Sequence, residues 1–128
     1  MAFYHSKIVT YSFEDAVKKT TDALKSEGFG VLMQIDMAAK LKEKLGVDFR
    51  KYLILGACNP SLAHKGLLIE DKIGVMLPCN IVVQQKSNNE VEIAAIDPQT
   101  TMSAIGNENL LPIAREVSEK LRIVLDRI

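Results

Sequence analysis

Tryptophan is absent and aromatic residues make up only 5% of the 128 residues, so any core is mainly aliphatic. Two cysteines are too few for the disulfide framework of a small secreted scaffold, and free thiols in a reducing compartment are the expectation. Net charge is also missing: sixteen acidic residues balance sixteen basic ones. No global positive field would draw in nucleic acid or anionic lipid, and there is no acidic tail. No apolar run approaches the ~18 residues that a membrane span requires. At the N-terminus, His5, Ser6 and Lys7 stand where a secretory signal would need its apolar region. These absences point to a cytoplasmic protein with no membrane span and no nucleic-acid partner. The length fits a single domain over 1–128 with one core.

What the chain does contain is short periodic pattern. Ile8 to Ser12 alternates in the manner of a half-buried strand. Ser12 and Asp15 form a capping pair ahead of Phe13, Val17 and Leu24 at helical spacing, and Gly28 ends that helix. Gly30 to Ile35 reads as a second strand beside the first. Asp36 then caps a short helix with Met37, Leu41 and Leu45 inward, stopped by Gly46. Tyr52 to Ala57 is apolar almost throughout, which predicts a central strand.

Asn59-Pro60 opens a third helix, cap followed by proline in the first turn. Ile73 to Leu77 and Cys79 to Gln85 read as one extended segment, broken at Pro78 by an edge or a bulge. Ser87-Asn88-Asn89 is a turn into the returning strand Val91 to Ala95. Met102 and Ile105 anchor a polar connection, and Asn109 is expected to cap the last helix. There Leu110, Ala114, Val117, Leu121, Val124 and Ile128 follow helical spacing. The predicted order is β-α-β-α-β-α-β-β-α: an α+β fold with an antiparallel or mixed sheet of about five strands.

Gly56-Ala57-Cys58-Asn59-Pro60, then Ala63, Leu68 and Gly74, then Leu77-Pro78-Cys79-Asn80, and finally Asp97-Pro98 resemble the pattern of a prokaryotic family, domain of unknown function 302. The resemblance covers most of the chain. It implies long helices on one face of an antiparallel sheet, a layout like that of TATA-binding-protein-type folds, often in a homodimer. It implies no activity.

Chemistry concentrates between Tyr52 and Gln85, which holds both cysteines, His64 and two prolines. Cys58 stands before a helix N-terminus, where a thiolate would be stabilised; equally, a cysteine there can simply fill a gap. Cys79 follows Pro78, and each cysteine precedes an asparagine, Asn59 and Asn80. If the strands are neighbours, the thiols could pair reversibly, hold a metal with His64, or line a pocket beside the two amides. The spacing matches no standard zinc signature, and only three ligands can be named. Alone, His64 lacks the partner that acid–base work requires. Asp97 is expected to accept backbone N–H bonds in a turn, with Glu70 and Asp71 as distant candidates for a paired acid, and His5 to decorate the surface. The expectation is a homodimeric small-ligand-binding domain, not an enzyme, with Cys58, Asn59, His64, Cys79 and Asn80 at its site and no cofactor assigned. The alternatives are a thiol redox, metal- or haem-handling protein, and a purely structural or interaction module.

Overall fold

The computed structural model describes residues 2–128. Strands β1 (Tyr4–Val9), β2 (Gly30–Asp36), β3 (Tyr52–Cys58), β4 (Cys79–Ser87) and β5 (Glu90–Ile96) form one sheet in the order β1-β5-β4-β3-β2. Every neighbouring pair is antiparallel. The helices are α1 (Phe13–Ser26), α2 (Met37–Leu45), α3 (Pro60–Ile69), α4 (Pro98–Met102) and α5 (Leu111–Asp126), with 3-10 turns at Asp71–Met76, Ser103–Ile105 and Glu108–Leu110. The α+β class and the order of the main elements agree with the sequence pattern.

The core lies between the sheet and helices α1 and α5. Ile81 and Val83 on β4 alternate with outward residues, as Val91, Ile93 and Ala95 do on β5, and all five are essentially fully buried. Opposite them α1 turns Ala16, Thr20, Ala23 and Leu24 inward, and α5 turns Ala114, Val117, Leu121, Val124 and Leu125 inward. Fully burying a side chain of leucine or isoleucine size contributes roughly 1.5–3 kcal/mol, so this layer is where the fold gains most. Thr20 enters it at no polar cost, since its hydroxyl donates to the Ala16 carbonyl at 2.7 Å.

Several local expectations are corrected. The first strand ends at Val9 because Ser12 is already the cap of α1, accepting the Asp15 N–H at 3.1 Å. β1 and β2 are not neighbours but opposite edges: α1 lies across the sheet, touching β2, β4 and β5, and carries the chain from one edge to the other. The central strand is β4, with β3 between it and β2. Pro78, joined to Leu77 by a cis peptide, stands just before β4, so its missing N–H falls outside the ladder. The register shifts lie instead between Val31 and Met33 and between Gln85 and Ser87.

Asp71–Met76 is a 3-10 turn and not a strand, because Ile73 alone is buried while Val75 is 89% exposed, which leaves no face for alternation to bury. α2 keeps its predicted cap, Asp36, and its stop, Gly46 in the left-handed region at φ 68°. Yet it buries nothing fully, and Leu45 is 69% exposed. Asn107, not Asn109, is the cap near the last helix: its side-chain oxygen accepts the Asn109 N–H at 3.1 Å and starts the 3-10 turn ahead of α5.

The second face of the sheet carries Tyr4 and Ile8 from β1, Glu92, Ala94 and Ile96 from β5, Asn80, Val82 and Gln84 from β4, Tyr52, Ile54 and Gly56 from β3, and Met33 and Ile35 from β2. Most of these are half-buried or exposed. Gly56 has a steric role there: a Cβ would stand 2.6 Å from Met33 Cγ and 2.8 Å from Pro78 Cγ.

Candidate functional site

Register brings the two cysteines together. Ala57 is the partner of Cys79 across β3 and β4, which places Cys58 one residue beyond that pair at the end of the sheet. Cys58 is half-buried and Cys79 is 8% exposed; both are free thiols. Asn59 then caps α3, accepting the Leu62 N–H at 3.3 Å with Pro60 in the first turn. Its amide also donates to the Glu27 carbonyl at 3.4 Å, tying the start of α3 to the end of α1. That approach passes over Gly28, whose φ of 85° suits glycine and whose absent Cβ would stand 3.1 Å from Asn59 Nδ2.

Cys58, Asn59 and Cys79 line a chamber of about 30 Å³ together with Phe29, Leu62 and Val117. Apart from the Asn59 amide and the thiols the lining is apolar. Burial, and secondarily the neighbouring Cys58, pushes the Cys79 thiol up to about 11. Cys79 therefore stays protonated at neutral pH, a poor nucleophile and a poor metal ligand until it loses that proton. Among the described residues no three His, Cys, Asp or Glu side chains converge as a metal site.

The other two predicted site residues lie elsewhere. His64 is exposed on α3 and does not line the chamber. Asn80 follows Cys79 in an extended strand and so points to the opposite face, where it lines a cleft of about 370 Å³ with Tyr4, Tyr52, Val82, Gln84 and Glu92.

A second polar constellation escaped the sequence reading. Asp97 Oδ1 accepts from Ser118 Oγ at 2.8 Å and from the Gln99 N–H at 3.0 Å, and Oδ2 accepts from Thr100 Oγ1 at 3.4 Å. His5 Nε2 lies 3.5 Å from Asp97 Oδ2 and is shielded without a hydrogen-bond partner. His5 is thus no surface decoration, and Asp97 does more than shape a turn. The residue types are those of a hydrolytic triad, but the roles are not: Ser118 is fully buried and its hydroxyl donates to the carboxylate, with no base to activate it. Ser118 had a signal, standing four residues after Ala114 and three before Leu121 on a stripe that should be apolar throughout.

The family model described as "Domain of unknown function DUF302" matches residues 5–128. The chain belongs to the DUF302 family. A solved structure similar to it, the crystal structure of an uncharacterized conserved protein DUF302 from Bacillus stearothermophilus, shares 33% identity over 99% of this chain and 98% of that one, with a TM-score of 0.92. No curated protein matches. The DUF302 fold therefore extends over essentially the full length of both chains. Among the described residues no helix is long and apolar enough to cross a membrane.

Proposed function

We propose that this DUF302 domain, acting as one folding unit in the cytoplasm, is a homodimeric binding protein that takes a small, neutral, apolar ligand at the Cys58–Cys79 chamber and performs no chemistry on it. The observation that supports this reading is that Cys58 and Cys79 both line one largely apolar chamber, in which Cys79 is held uncharged. In its closed form the chamber admits a group of only one or a few heavy atoms. A larger ligand enters by displacing α3 and the Asp71–Met76 turn, whose outer surface already exposes Leu67, Leu68 and Val75. The long helices α1 and α5 on one side of the sheet fit the TATA-binding-protein-type layout, but the balanced charge gives that likeness no DNA-binding consequence. The test is a thermal-shift screen of small apolar compounds against the wild type and a Cys58→Ala, Cys79→Ala double variant. Hits that stabilise only the wild type support the site, and identical responses from both proteins would sink it.

A thiol redox pair is the second reading, favoured by the proximity that lets Cys58 raise the Cys79 pKa. Hydrogen peroxide would oxidise one thiol to a sulfenic acid, its O–O bond breaking to release one water; the second thiol would then attack the sulfenic sulfur and release a second water to close the disulfide. Intact mass after mild peroxide decides, since a chain that has lost two hydrogens supports the redox pair and an unchanged or over-oxidised chain does not.

A further inference from the structure

We propose that α2 and the turn after it, residues 37–51, form a surface that docks on an anionic lipid bilayer, lying in the headgroup layer without crossing it. The proposal stands apart from the chamber reading, since no residue of this segment lines the chamber. An amphipathic helix on a globular domain normally buries its apolar stripe. In α2 no residue is fully buried, and every residue over 42–51 is exposed. Leu45, Val47 and Phe49 are among them, exposed by 69%, 44% and 43%.

Charge identifies what covers this surface. Residues 37–51 hold Lys40, Lys42, Lys44, Arg50 and Lys51 against only Glu43 and Asp48, an excess of three positive charges in a chain whose net charge is zero. At 3.6 residues per turn, Lys42 and Lys44 fall on opposite sides of the row Met37, Leu41 and Leu45, so cations border the apolar row on both flanks. Lys40 meets Glu43 at 3.6 Å, Lys42 meets Asp48 at 2.9 Å and Lys51 meets Glu14 of α1 at 3.2 Å. These pairs are exposed and contribute little, so headgroup phosphates and carboxylates can take the place of the acids. The Arg50 guanidinium lies 4.4 Å over the Phe49 ring, which holds a further cation beside the apolar tip of the turn. Protruding apolar side chains within a basic rim fit a headgroup layer, where ammonium groups meet anionic lipid while aliphatic and aromatic tips enter the acyl boundary below. A nucleic acid would satisfy the lysines but leave Leu45 and Val47 in water.

Co-sedimentation with large unilamellar vesicles tests this, comparing phosphatidylcholine alone with two parts phosphatidylcholine to one part phosphatidylserine. At low salt the wild type is expected to pellet with the mixed vesicles and to stay in solution with phosphatidylcholine alone. The triple variant Lys40→Gln, Lys42→Gln, Lys44→Gln is expected to bind about a hundredfold more weakly, at about fivefold per cation. The double variant Leu45→Gln, Phe49→Gln is expected to weaken binding by about tenfold or more. All five positions are exposed, so both variants should keep the wild-type circular dichroism spectrum. Because the chain has no tryptophan, Phe49→Trp supplies a single reporter whose emission is expected to shift to the blue on the mixed vesicles only. A wild type that stays in solution with the mixed vesicles, equal binding to both vesicle types, or a Phe49→Trp emission that does not move overturns the proposal. Two further results overturn it by assigning the surface elsewhere. A double variant that binds as well as the wild type marks a plain polyanion site, and a wild-type dimer that the double variant turns into a monomer, with no vesicles present, marks a contact between copies.

Discussion

The Cys79 thiol gives this fold a defined response to alkali. Its pKa is about 11 in the folded chain against 9.0 for the free group, so between those values the unfolded chain has released a proton that the folded chain still holds. Stability is then fully present below about pH 9 and falls as pH rises through about 11, by about 3 kcal/mol at about 1.4 kcal/mol per pKa unit. Urea unfolding at a series of pH values is expected to show that loss in the wild type and a flatter profile in Cys79→Ala. The same protonation predicts that iodoacetamide at neutral pH modifies Cys58 well before Cys79, read by mass spectrometry of digests. Ser118 governs a different weakness. Removing its hydroxyl leaves the buried Asp97 short of a donor at 2.8 Å, and Ser118→Ala is expected to cost about 1–3 kcal/mol in denaturant unfolding.

Asn59 couples two elements, since its side-chain oxygen caps α3 while its nitrogen donates to the carbonyl of Glu27, the C-cap of α1. Asn59→Ala is expected to lose about 1–2 kcal/mol, the upper part of the range for a cap, and Asn59→Asp about half of that because the cap survives without the donation to Glu27. Gly56→Ala is expected to cost about 1–3 kcal/mol by overpacking: the Met33 side chain can move away but the Pro78 ring cannot. Thermal unfolding of the three variants checks these values. Caps and periods of this kind were the legible part of the sequence. Ser12, Asp36 and Asn59 cap as their positions suggested, and the stripe of α5 is buried as written. That Cys58 and Cys79 line one chamber was only half legible, because it depends on β3 pairing with β4. Asn80 was misassigned for a local reason: neighbours in a strand face opposite sides, so Cys79 and Asn80 cannot share one pocket. The Asp71–Met76 turn was misread as a strand because a run with a single buried side chain has no period to recognise.

Strand order was not legible, because it is set by which edges the helices leave open and not by anything within reach of a short window. β4 is hydrogen-bonded on both sides at the centre of the sheet, while β1 and β2 are edges held from one side. Amide hydrogen exchange is therefore expected to be slowest in Ile81 to Val83 and in Val91 to Ala95, and fastest among the strands in β2, where a bulge interrupts the pairing. β1 is the better fastened edge, since Lys7 Nζ donates to the carbonyls of Leu125 and Ile128 at 3.2 and 2.7 Å and binds the strand to the end of α5.

The pairing of β1 with β5 also has a consequence for biosynthesis. On a ribosome the first strand to appear waits while more than eighty further residues are made before Glu90–Ile96 can receive it, and α1 must form with no sheet beneath it. The growing chain meanwhile holds β2 and β3 with only α1 and α2 made to cover them, so apolar surface that later elements bury stays open until the second half of the chain is synthesised.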